Sequence, residues 1–167
     1  LRGMVRALCQ LTQHPQEMAA VLNSLLIDDP MKQHFSFSYL LLQPRENRFL
    51  FVSCRCGHLY YQEAQAPTLV PVVSDNPSLG ADPHAEFSEI EHVWNVGNGL
   101  TLYASLGSQF PSKTPLFTDE QLQACLDETA RPSAQKQADA YLRKAKVSLS
   151  RASDERSVIF LNIIRNK

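Results

Sequence analysis

Apolar positions recur at helical spacing early in the chain and then switch to a period of two. Leu1, Met4, Val5, Leu8 and Leu11 lie three or four apart, which predicts an amphipathic helix from the first residue. A second helix follows at once. Pro15 suits a first helical position, Glu17 suits the first turn, and Met18, Val21, Leu22, Leu25 and Leu26 form the expected buried stripe. Asp28, Asp29 and Pro30 end it in a solvated turn, because such residues favour turns for local backbone reasons. From residue 34, Phe35, Phe37, Tyr39 and Leu41 alternate with Ser36, Ser38, Leu40 and Leu42. That alternation predicts a strand over 35–42 whose second face turns apolar toward its end. Residues 43–47 read as a hairpin loop and 48–54 as the partner strand.

Gly57 breaks that strand, and 59–63 continues as another. Residues 68–73 form a candidate edge strand, where Pro71 is tolerated. A loop over 75–83 leads to a weakly patterned strand over 87–94, and Phe87 and Trp94 are expected to pack under that loop. A polar turn carrying Gly97 and Gly99 enters a short apolar strand, 100–104, which stops at Ser105. A strand ending on a small polar residue puts that residue at a sheet edge, where sites usually lie. After an irregular stretch at 108–115, Thr118, Asp119, Glu120 and Gln121 have the form of a capping box for a helix through Leu122, Cys125 and Leu126. Pro132 restarts a helix with Ala138, Tyr141, Leu142 and Ala145 on one side. A polar loop at 148–153 precedes a closing strand, 158–164, apolar enough for a sheet centre. The order of helices, antiparallel strands, helices and strand predicts one α+β layered domain over 1–167.

Composition narrows the function classes. The chain has 167 residues, 44% hydrophobic and 20% charged, with a net charge of -1. Its 16 Lys and Arg are spread along the sequence, which argues against a nucleic-acid partner. No run approaches the roughly 18 apolar residues of a membrane span, and no export signal is visible, so a cytoplasmic setting without membrane contact is expected. Leu1 in first place is what a piece of a longer chain would show. Cys9, Cys54, Cys56 and Cys125 are expected as free thiols. Cys54, Cys56 and His58 come closest to a metal motif, but zinc sites need a second ligand pair that is missing here, so buried thiols are the better reading. His58 is expected to shape its loop and not to transfer protons, because no orienting partner can be named for it.

Several short motifs, in order, carry a resemblance. They are Leu22-Asn23; the hairpin of 35–42 and 48–54; Cys56-Gly57-His58; Pro77-Ser78-Leu79-Gly80; Val96-Gly97-Asn98-Gly99-Leu100-Thr101-Leu102-Tyr103; and Ser153-Asp154-Glu155-Arg156-Ser157-Val158. In sequence and spacing they resemble the bacterial SpoIIE/RsbU-type serine phosphatases, a branch of the PPM metal-dependent protein phosphatases. The resemblance covers nearly the whole chain but only the later part of the family domain. It implies an antiparallel β-sandwich flanked by helices, with the family's first strands lying before Leu1.

The resemblance also implies a chemistry. The family hydrolyses phosphoserine or phosphothreonine with two divalent ions, Mn2+ or Mg2+, bridged by Asp carboxylates. Such hard cations need oxygen ligands, activate a water and neutralise phosphate charge. Two of the four carboxylate positions fall before Leu1. The third is occupied by Ser105, and the fourth is matched by Asp154, with Ser157 where the family has threonine. Asn98 also stands where the family has Asp. A hydroxyl supplies neither the charge nor the second oxygen of a bridging carboxylate. The resemblance therefore implies either a weakened phosphatase acting on a phosphorylated regulatory protein, a STAS-type anti-sigma-factor antagonist, or a catalytically degenerate module that binds such a partner. A homodimer is expected to cover the face that the missing first strands leave open.

Overall fold

Helix α2, Pro15–Ile27, is the element around which the first part of the chain is built. In the computed structural model, residues 2–30, 34–55, 58–63, 68–94, 100–107, 135–136, 138–140, 143 and 156–163 are described. Two units can be distinguished, residues 1–56 with 73–94 and residues 57–72 with 95–167.

In the first unit, α1 (Arg2–Leu11) precedes α2, and β1 (Phe37–Gln43) pairs antiparallel with β2 (Arg48–Cys54). The α2 stripe differs from the one expected. Pro15, Met18, Ala19, Leu22, Asn23 and Leu26 are buried, whereas Val21 is 42% and Leu25 49% exposed. The helix is thus rotated so that Ala19 faces inward. The buried Asn23 is turned in toward its backbone partners at Gly80 and Asp82. One buried cluster holds Met18, Ala19, Leu22, Leu26, Val52, Cys54 and Leu79, with Val5, Leu8, Phe35, Phe37, Tyr39 and Phe87 packed against it.

The hairpin falls where the sequence places it, with Gln43 opposite Arg48. Asn47 takes a left-handed φ of 49°, which Asn tolerates in turns, and its carbonyl accepts the Trp94 N–H at 2.9 Å. The strand begins at Phe37, two residues later than expected. Phe35 instead forms a bridge with Leu79 through two backbone hydrogen bonds of 2.9 Å. The strand expected over 87–94 shrinks to β5, Ile90–Val93, which pairs with β2. Ser88 is unavailable to that ladder because its N–H and carbonyl are both bound by Asn76. Trp94 is buried, but it stacks on Phe49 of β2, while Phe87 belongs to the core beside Leu79.

The second unit holds a four-stranded sheet in the order β4-β3-β6-β7, every described pairing antiparallel. Its strands are β3 (His58–Glu63), β4 (Val70–Val72), β6 (Leu100–Gly107) and β7 (Arg156–Ile163). The proline-bearing β4 is at the border of the sheet, as Pro71 requires. Two expectations need correction. Strand β6 does not stop at Ser105 but runs on through Leu106 to Gly107, because β7 continues to pair with it down to Arg156. The closing strand β7 is not central, since among the described residues it pairs with β6 alone. Helical backbone is described at 135–136, 138–140 and 143, where the restarted helix was expected. The capping-box helix at 118–126 lies outside the described residues.

Candidate functional site

Ser105 lies two residues from the end of β6, with His58 of β3 on one side and Val158 of β7 on the other. The register therefore brings two separately chosen residues, Ser105 and His58, opposite each other as cross-strand neighbours. It also sets Ser157 opposite Leu106, one rung beyond Ser105. Asp154, Asn98, Cys56 and Gly57 lie outside the described residues.

Residue 105 is a serine, whose hydroxyl is neutral, whereas hard divalent ions favour anionic oxygen. Among the described residues, no three His, Cys, Asp or Glu side chains come together as a metal-holding group. Cys54 is fully buried in the cluster that includes Leu22 and Leu79. Cys9 is exposed, and neither it nor Cys54 forms a disulfide.

The motif residues of the first unit serve one another. Asn23 on α2 accepts the Gly80 N–H at 2.7 Å and donates to the Asp82 carbonyl at 2.9 Å. Gly80 has a φ of 79°, a conformation that side chains resist, so glycine is required where the loop turns toward Asn23. The Leu-Asn and Pro-Ser-Leu-Gly motifs are in this way two halves of one clasp. Asp82 shapes the far side of the turn by accepting the His84 N–H at 2.8 Å.

Two further polar residues escaped the sequence reading. Asn76, 2% exposed, donates to the Ser53 carbonyl at 3.2 Å and to the Ser88 carbonyl at 3.1 Å, and accepts the Ser88 N–H at 2.8 Å. It thereby supplies hydrogen-bond partners to backbone groups of Ser53 and Ser88. Glu89 accepts the Gln16 N–H at 3.2 Å and so caps α2, whose N-cap residue His14 provides no cap of its own. His14 Nδ1 donates to Glu89 at 3.1 Å, and this bond, followed by the charge of Glu89, raises the imidazole pKa above its ordinary value. Only the polar character of a residue 75 positions from His14 could have signalled the pair, and that signal is not specific. At the hairpin end, Arg48 bridges Glu46 at 2.7 Å and Glu91 at 3.1 Å, an exposed arrangement of small energetic weight.

Compared with protein families, residues 1–163 match the profile of SpoIIE, stage II sporulation protein E. The chain belongs to the SpoIIE family. No curated protein matches it by sequence. Solved structures agree on the fold. The SiaA-PP2C domain of Pseudomonas aeruginosa is similar with a TM-score of 0.71 at 12% identity, over 99% of this chain and 67% of that one. The phosphatase domain of the cell fate determinant SpoIIE from Bacillus subtilis, presoaked with Mn, is similar with a TM-score of 0.60 at 12% identity, over 99% and 72%. The same Bacillus domain in a second structure gives a TM-score of 0.56 at 11% identity. The expected α+β fold of antiparallel sheets and helices is thus that of the SpoIIE and PP2C phosphatase domains.

Proposed function

We propose that this SpoIIE-family chain is a protein serine/threonine phosphatase domain with a weakened metal centre. Its substrate class is a phosphoserine or phosphothreonine on a small regulatory protein, a STAS-type anti-sigma-factor antagonist in bacterial, cytoplasmic partner switching. The family match over residues 1–163 is the observation that carries this reading. In it, residues 1–167 act as one domain, Asp154 is the retained fourth carboxylate for Mn2+ or Mg2+, and Ser105 is the position where the third has been lost. The domain acts as a homodimer in this reading.

Ser105 also favours a second reading, in which the domain binds its phosphorylated partner without turning it over. The absent charge would weaken metal binding more than it weakens recognition of a protein surface. Manganese titration calorimetry on this chain and on Ser105→Asp, with phosphate release from a phosphoserine protein, tests the pair. Weak or single-ion binding that tightens in Ser105→Asp is the expected result. Tight binding of two ions by the unaltered chain would overturn the weakened centre. Phosphate release would then separate the enzyme from the binding module.

A further inference from the structure

Helix α2 and the segment 79–89 are fastened to each other at two places. Near the middle of the helix, Asn23 holds the Gly80 N–H and the Asp82 carbonyl. At its N-terminus, Glu89 holds the Gln16 N–H and His14 Nδ1. Gln16 and Asn23 are about 10 Å apart along the helix axis, given the rise per residue of an α-helix. The segment therefore runs back along α2, antiparallel to it. Just before the first fastening Leu79 is fully buried, and between the two Phe87 packs on the cluster that includes Met18, Ala19 and Leu22.

The two fastenings differ in chemistry. An amide bound to backbone groups does not titrate, whereas a carboxylate bound to an imidazole does. The charged groups facing His14 are Glu89 from the segment, Glu17 from α2 and Arg48 from β2. The two acids favour the imidazolium and the guanidinium opposes it, with Glu89 dominant. The His14 side chain is 55% exposed, so solvent protons reach it freely, while that of Glu89 is only 14% exposed.

We propose that residues 79–89 form a strap along α2 with a fixed clip at Asn23 and a proton-operated clip at His14 and Glu89. Loss of the His14 proton loosens the N-terminal end of the helix and leaves the Asn23 end fastened. With His14 neutral, Glu89 keeps the Gln16 N–H but loses the cation that holds its carboxylate in place, so the first turn of α2 opens more often. The strap does not depend on Ser105 or on any metal, and it stands or falls separately from the proposed phosphatase role.

Amide hydrogen exchange read by NMR on the whole chain, corrected for intrinsic rates, tests the strap at about pH 5.5 and about pH 8, either side of the histidine range. Protection at Gln16 is expected to fall about two- to fivefold as pH rises, the scale of one exposed ion pair. Protection at Gly80 is expected to stay constant. In His14→Gln and in Glu89→Gln, the Gln16 response is expected to vanish. The proposal is overturned if Gln16 is insensitive to pH in the unaltered chain, if Gly80 loosens in step with it, or if the response survives in His14→Gln. Should Glu89→Gln fail to fold, His14→Gln decides alone, because that side chain is largely exposed.

Discussion

Asn23 accepts the Gly80 N–H at 2.7 Å across 57 positions of sequence. The same side chain donates to the Asp82 carbonyl, and Asn23 is 3% exposed, so water cannot readily replace it. Asn23→Ala is expected to lower stability by about 1–3 kcal/mol, the usual cost of leaving buried polar groups unmet. The urea midpoint measures it, and an unshifted midpoint would show that the loop finds other partners. Gly80→Ala should add a separate loss of about 1–2 kcal/mol from its left-handed backbone.

The rotation of α2 makes a paired prediction. Leu22 is fully buried and Leu25 is half exposed, although both were expected in one stripe. Leu22→Ala should cost about 2–5 kcal/mol by leaving a cavity. Leu25→Ala should stay within about 1 kcal/mol, as surface substitutions do. Equal losses in chemical denaturation would restore the stripe drawn from sequence.

The His14 imidazole should titrate above the ordinary histidine value in the folded chain, and Glu89→Gln should return it toward that value. The folded pKa is the higher one, so the pair stabilises fully below the unfolded pKa of 6.5. Its contribution is lost as pH rises through the folded pKa. The NMR shift of the His14 ring carbons reports this directly. A folded value at or below the unfolded one would reverse the sign.

Thiol access separates two cysteines. Cys9 is exposed and Cys54 is buried in the core. Brief labelling of the native protein, mapped by mass spectrometry, should modify Cys9 and leave Cys54 untouched until denaturant is added. Rapid native labelling of Cys54 would mean that the β2 end opens far more readily than its packing indicates.

Local rules made much of the fold legible. Pro15 and Glu17 marked the start of α2, alternation marked β1 and β2, and Pro71 marked a border strand. What stayed hidden depended on partners distant in sequence. The inward turn of Asn23 follows from Gly80 and Asp82, and helix periodicity by itself does not reveal which polar residue will find backbone to bind. The shortening of β5 follows from Asn76 taking Ser88. Ser105 drew notice in the sequence because the run before it, Val96 to Tyr103, resembles a family motif. Its place inside β6, and not at the strand's end, depended on how far β7 pairs, which apolar content does not report.

Pro71 has a consequence for how the molecule meets others. It stands, exposed, in a strand of three residues at the border of its sheet, and it has no amide hydrogen to offer. A foreign extended segment arriving at that flank would find a short rail with a rung removed. The β4 flank is thereby a poor template for fibrillar growth.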